Sequence, residues 1–136
     1  MYSVYFDGAS RSNPGPASYG GVIYNENGQE VGTYKKYIGK QTNNVAEYLA
    51  CFAGIQACIQ ENIKNVTIYG DSKLVIEQVS GRWKVKSPNI KPIYLEIKKV
   101  LDTNPFDKII FKHVKRHKNK RADELANQAL DDFFKI

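Results

Sequence analysis

The feature that most constrains this chain is a change of hydrophobic period near residue 44. Before that point the sequence offers only short β-forming stretches broken by turn residues. Tyr2–Phe6 is rich in β-formers and is closed by Asp7-Gly8. The run Ser10-Arg11-Ser12-Asn13-Pro14-Gly15-Pro16 is interrupted by Pro and Gly too often for regular structure. Tyr19–Tyr24 reads as a second strand, Asn25–Gly28 as a hairpin turn and Glu30–Ile38 as a third strand. From Asn44 to Gln60 the apolar residues Val45, Leu49, Phe52, Ile55 and Ile59 fall on one helical stripe. A short β-branched strand, Asn65–Tyr69, follows and is closed by Gly70-Asp71-Ser72. Ser72 is placed to cap a helix over Lys73–Val79 that ends at Gly81. Asn89–Leu101 predicts another helix, with Pro92 tolerated in its first turn. Lys108–Val114 predicts the last strand, and Asn119 a cap for a final helix over Arg121–Phe133.

The order β-β-β-α-β-α-α-β-α implies an α/β fold with a mixed five-stranded sheet. Three strands joined by short turns form an antiparallel meander, and two strands reached through helices lie parallel to it. A length of 136 residues fits one domain, 1–136. Ligands of such sheets gather at the carboxyl ends of strands, where strand order reverses. Asp7 and Asp71 fall at two such ends.

Composition narrows the setting. The apolar fraction of 42% is enough for an ordinary core. No stretch reaches the roughly 18 consecutive apolar residues of a membrane span. No basic-then-apolar signal opens the sequence, so a cytoplasmic domain is expected and the acceptor-like Asn65-Val66-Thr67 is discounted. Cys51 and Cys58 are seven residues apart on the predicted helix, about 10.5 Å and too far for a disulfide. They read as buried thiols in a reducing compartment. Nothing in the pattern calls for an obligate partner chain, and a monomer is expected.

The formal charge is +6 and it is unevenly spread. Lys108–Arg121 holds seven Lys or Arg and no acid, and Arg82–Lys99 holds six against Glu96 alone. Such clusters suit a polyanionic partner, nucleic acid or an acidic surface, although a solvated basic face would explain the charge by itself equally well.

Four acids occupy positions that can converge. Asp7 and Asp71 end strands. Glu47 lies in the opening turn of the first helix, on the face of Cys51, Gly54 and Cys58, and points inward. Asp123 lies in the first turn of the last helix. Each has an ordinary structural explanation alone: turn formation, capping or helix-dipole complementarity. Together they incur repulsion, about 4 kcal/mol for two charges about 4 Å apart at an effective dielectric of 20. Protonation or bound cations relieve it. Oxygen-only ligands suit magnesium, and paired ions can activate water at a phosphodiester.

At this point the residues match a family. Tyr5-Phe6-Asp7-Gly8-Ala9-Ser10, with Asn13-Pro14-Gly15-Pro16 and Gly20-Gly21 downstream, resembles the opening of type 1 ribonuclease H. Thr42-Asn43-Asn44-Val45-Ala46-Glu47, Tyr69-Gly70-Asp71-Ser72 and Asn119-Lys120-Arg121-Ala122-Asp123-Glu124-Leu125-Ala126 resemble its second, third and fourth motifs, in family order. The resemblance implies a two-metal-ion endonuclease that hydrolyses the RNA strand of RNA–DNA hybrids, using Mg2+ with Mn2+ as a substitute. It makes Asp7, Glu47, Asp71 and Asp123 the metal-binding acids. It places Asn13, Asn43 and the backbone of Gly8 beside RNA 2′-hydroxyls, the group that distinguishes RNA from DNA. Ser10 and Asn44 are further candidates from the same segments. Thr42 and Asn43 resemble part of the pocket for a DNA-strand phosphate, with Val45 standing where some members have Arg. Trp83, with Lys84 and Lys86, would line the DNA-strand channel as an aromatic among cations.

Two departures follow. Gly81–Asn89 is too short for the basic handle that many bacterial members insert there, so affinity must come from Arg82–Lys86 and the Lys115–Arg121 loop. His113-Val114-Lys115-Arg116-His117 resembles the string that carries a catalytic histidine, which puts His117 in that slot. Only five residues separate His117 from Asp123, and handle-less relatives often use Arg there, so Arg116 is its rival. His113, within the strand, is expected to be structural. A non-catalytic hybrid-binding module and a related DNA-directed nuclease are the competing readings.

Overall fold

The computed structural model describes residues 1–135. Strands β1 (Tyr2–Ser10), β2 (Gly15–Tyr24) and β3 (Glu30–Gln41) are followed by helix α1 (Asn43–Gln60) and strand β4 (Asn65–Gly70). Helices α2 (Lys73–Val79) and α3 (Lys91–Leu101), strand β5 (Lys108–His113), a 3-10 turn (Arg116–Lys118) and helix α4 (Lys120–Phe133) complete the chain. The strands form one mixed sheet in the order β3-β2-β1-β4-β5. β1, β2 and β3 pair antiparallel, while β4 runs parallel to β1 and β5 parallel to β4. The expected mixed five-stranded α/β sheet is therefore present.

The strands run further than the sequence suggested. β1 continues through Asp7 and Gly8 to Ser10, and β2 starts at Gly15, inside the Pro/Gly-rich run. The ladder partner decides this: β1 and β2 stay in register to Ser10–Ala17, so cross-strand bonding overrides the local turn preference. Asp7 accordingly does not end its strand. It marks where the parallel neighbour stops, because β1–β4 pairing ends at Phe6–Gly70. β1 is flanked by β2 on one side and β4 on the other, so the strand order reverses there.

Both sheet faces are covered by close approach. Gly8 faces α1, and a Cβ built there would lie 2.4 Å from the Glu47 backbone nitrogen. Gly20, opposite Asp7 in the ladder, faces α4, and a Cβ there would lie 2.5 Å from the Ala126 nitrogen. Ser18 adds a hydrogen bond from its hydroxyl to the Ala126 carbonyl. Between α1 and the sheet lies the main core, with Val4, Phe6, Tyr48, Ile55, Val66 and Ile68 fully buried. Burying each large side chain contributes about 1.5–3 kcal/mol, which fixes α1, and hence Glu47, against β1. Cys51 and Cys58 are free and buried in this layer, as expected.

Local capping explains the remaining elements. Thr42 caps α1, accepting from the Val45 amide, and Ser72 caps α2, accepting from the Val75 amide. α3 begins at Lys91, two residues later than expected, with Pro92 in its first turn. Asn119 occupies the position before α4, yet its side chain makes no cap bond. No helix among the described residues is long and apolar enough to cross a membrane.

Candidate metal centre and nucleic-acid interface

Three of the four acids come together. One carboxylate oxygen each from Asp7, Glu47 and Asp71 lie within 4.8 Å of one another. Asp7 and Glu47 are buried and Asp71 is half-buried. Asp123 stands against Asp7 from the α4 side and its charge disfavours ionisation there. Beyond Phe6–Gly70 β1 has no β4 neighbour on that side, and acids carried by α1 and α4 both act on the same β1 carboxylate.

Electrostatics shows the cost of this gathering. Burial, with the Asp71 and Asp123 charges adding to it, pushes Asp7 up to about 7 although Glu47 favours its ionised form. Burial first, and the Asp7 carboxylate second, holds Glu47 well above the usual range. The Asp7 Oδ1 accepts the Gly8 amide at 3.0 Å, which is weak compensation for a buried charge. Glu47 Oε2 is buried with no hydrogen-bond partner at all. Such an oxygen, in a cluster of hard donors lacking a neutralising cation from the chain's interior, fits a divalent ion better than a salt bridge.

This predicts a pH-dependent stability with a definite sign. Asp7 has a higher pKa folded than unfolded, so its stabilising contribution is complete below about 4 and is lost as pH rises through about 7. Glu47 acts in the same direction. The metal-free melting temperature should fall between pH 5 and pH 8, Mg2+ should offset the fall at pH 8, and Asp7→Asn should flatten it. Equal slopes for the two proteins in thermal melts would refute the assignment.

Asn119 is the polar residue that sequence reading undervalued. It is buried, and its Nδ2 donates to the Phe6 carbonyl at 2.8 Å and to Asp71 Oδ2 at 3.2 Å. It thus ties α4's start to both acid-bearing strands and orients Asp71. Its position in the fourth motif, one uncharged side chain among exposed cations, was the available signal. His113 has the structural role expected of it, its Nε2 donating to the Asp71 carbonyl at 3.2 Å. Asn127 holds Asp123 through its side-chain amide, 3.3 Å from Oδ1.

The other candidates divide by location. Asn43, Asn44, Glu47, Asp71, Ser72 and Arg116 line one open pocket of about 240 Å3. Asn13 is tied to Asn43, its side-chain carbonyl accepting the Asn43 backbone amide at 3.0 Å. Ser10 is engaged internally, its hydroxyl directed at the Ser12 and Gln41 carbonyls. Trp83 is 45% exposed, and Lys84 and Lys86 are exposed beside it. His117 lines a different hollow, with Tyr5 and Tyr69. Arg116 and His117, neighbours in the 3-10 turn Arg116–Lys118, thus line two different hollows.

The chain is similar to known proteins over nearly its whole length. A family model described as "Reverse transcriptase-like" matches residues 5–129. A bifunctional protein of Mycobacterium tuberculosis is 42% identical over 126 residues, 92% of this chain and 34% of the relative. Ribonuclease HI of Halobacterium salinarum is 41% identical, over 95% of this chain and 64% of the relative. Ribonuclease H of Brucella anthropi is 33% identical, over 96% of this chain and 90% of its own length. The chain thus spans about a third of the mycobacterial relative and just under two thirds of the haloarchaeal one. Among solved structures, the RNase H1 of Halobacterium salinarum superposes with a TM-score of 0.90 at 40% identity, covering 96% of this chain and 98% of that one. LC11-RNase H1 in complex with an RNA/DNA hybrid superposes with a TM-score of 0.91 at 36% identity, covering 98% and 99%.

Proposed function

The chain belongs to the type 1 ribonuclease H family, and on that premise we propose that it is an endonuclease hydrolysing the RNA strand of RNA–DNA hybrids. The observation that carries this reading is the cluster in which Asp7, Glu47 and Asp71 meet, with Asp123 against Asp7 and Asn43 lining the same pocket as Glu47 and Asp71. That LC11-RNase H1 was solved with a hybrid supports the substrate class. Two Mg2+ ions, or Mn2+ in their place, would be held by the four acids and would supply charge neutralisation and water activation at the scissile phosphate.

The chain's own residues do the rest. Asn119 and Asn127 fix the orientation of Asp71 and Asp123 before substrate arrives, so little reorganisation is needed on binding. Asn13 and Asn43, coupled by their hydrogen bond, present amide groups to the minor groove, where 2′-hydroxyls identify the RNA strand. Gly8 lets the backbone approach there, and Asn44 and Ser10 shape the adjoining turns. Thr42 orients the start of α1 toward a DNA-strand phosphate. Trp83, Lys84 and Lys86 form the exposed track for that strand. Gly81–Asn89 contains no inserted helix, so these contacts carry more of the affinity and binding falls steeply with salt. The buried free thiols suit a reducing, cytoplasmic setting, and the chain works as a monomer.

Arg116 lines the pocket with Glu47 and Asp71 and, rather than His117, would balance phosphate charge there. Arg116→Ala should lower hybrid cleavage about ten-fold or more, the scale of one lost charged hydrogen bond. His117→Ala should change it less than about three-fold, a loss worth under 1 kcal/mol. The reverse ranking in single-turnover assays would assign the role to His117.

The direct test is cleavage of labelled hybrid, RNA duplex and DNA duplex, with and without Mg2+. Metal-dependent cutting of RNA only in the hybrid is expected. Binding without cutting would indicate a hybrid-binding module, and equal cutting of DNA duplex a DNA-directed nuclease.

A further inference from the structure

The sheet carries a second concave surface that the acid pocket does not use. α4 packs on β1, β2 and β3, while on that same face the β4 and β5 residues Tyr69, Ile110 and Lys112 remain half-buried or exposed. Register places Tyr5, Tyr69 and Lys112 in one row across three strands. The Tyr5 and Tyr69 rings are nearly parallel, 13° apart in plane with centroids 4.6 Å apart, and Tyr24 meets Tyr5 edge-on at 5.8 Å. A hollow of about 540 Å3 lies over this row, its far wall formed by Lys115, His117 and Lys118. It adjoins a second hollow of about 430 Å3 beside Tyr24, with Tyr5 and Lys118 common to both.

The chemistry of these walls is specific. No carboxylate lines the larger hollow among the described residues. Lys112, Lys115 and Lys118 take part in none of the ion pairs formed by those residues, unlike Arg11, Lys35, Arg82 and Arg121. Aromatic rings on a sheet with unpaired cations at its rim are suited to nucleotide bases and their phosphates: the ring takes the base face and the ammonium the anion. A duplex cannot stack on these rings, since its base faces are covered by neighbouring pairs. A track through two joined hollows exceeds one nucleotide, which favours a strand over a free nucleotide.

We propose that this groove binds an unpaired nucleic-acid strand, with a base against Tyr69 and phosphates on Lys112, Lys115 and Lys118. Tyr5 and Tyr69 each lie two residues before an acid, Asp7 and Asp71. The groove therefore lies behind the acid pocket on the same two strands, and a single-stranded segment could be held there while a duplex occupies the pocket.

The test uses the full chain, isotopically labelled and metal-free, with hexathymidylate and hexauridylate as probes. Amide shifts should centre on Tyr5, Tyr69 and Lys112, and should persist when saturating hybrid is added. Tyr69→Leu, which keeps apolar bulk while removing the stacking face, should weaken oligonucleotide binding at least about five-fold. Lys112→Glu alters only an exposed side chain and should weaken it about three-fold or more, with hybrid cleavage unchanged. Shifts confined to Asn43 and Trp83 and abolished by hybrid would overturn the proposal, as would unchanged affinity in Lys112→Glu. Equal affinity for adenosine monophosphate would also overturn it, leaving a mononucleotide site. Failure of oligonucleotide binding with cleavage intact removes this groove alone; loss of cleavage with oligonucleotide binding intact removes the hydrolase reading alone.

Discussion

Replacing Asp71 by Asn should abolish hybrid cleavage and leave the metal-free protein at least as stable as before. The two halves of that result have one cause. Asp71 raises the cost of ionising both Asp7 and Glu47, so neutralising it relieves the repulsion stored in the pocket. The substituted amide can still present an oxygen to Asn119 Nδ2, which preserves the tie between β4 and α4. Catalysis has no such compensation, because an amide is a poor ligand for a hard divalent ion. A loss of about 4 kcal/mol of transition-state stabilisation corresponds to about 10³-fold in rate. Single-turnover cleavage and metal-free thermal melts of the same preparation check both halves. A variant that loses several degrees of melting temperature would show Asp71 to be structural.

The second large effect concerns a residue with no side chain. Gly8→Ala should destabilise the fold by about 3 kcal/mol, the upper end of overpacking costs, or about 10 °C in melting temperature for a domain of this size. The added Cβ would lie 2.4 Å from the Glu47 nitrogen and 2.5 Å from the Ala46 carbonyl carbon, and these are backbone atoms that cannot rotate away. α1 must then lift from β1, carrying Glu47 out of the pocket, so cleavage should fall even at temperatures where the variant is fully folded. Gly28, whose Cβ would meet nothing within 4 Å, serves as a control for glycine loss in general, although its φ of +78° brings some strain of its own. A Gly8→Ala protein with unaltered melting and activity would contradict the described α1–β1 contact.

The contrast between what sequence reading reached and what it missed has a physical basis. The periodicity change at residue 44 located α1, and the Cys51, Gly54 and Cys58 face correctly turned Glu47 inward, because a buried helical stripe is visible in sequence. Ser72 was legible as a cap for the same local reason. The extent of β1 was not, since Asp7-Gly8 reads as a turn until the β2 ladder is present to hold it extended. Asn119 was read through its local capping preference, but its side chain is captured by Phe6 and Asp71, which are distant in sequence. Arg116 and His117 line different hollows although they are neighbours in one short turn. Adjacent residues on such a turn project to different sides, and no local pattern specifies which side faces the acids.

One measurement bears most directly on the shared pocket: titration of the isotopically labelled chain with Mn2+, whose unpaired electrons broaden resonances nearby. Broadening should begin at Asp7, Glu47, Asp71 and Asp123 and spread to Gly8 and Asn119, while β3 and α3 stay sharp. Uniform broadening over the acidic surface residues, with those four no more affected than Asp131 or Asp132, would contradict the account.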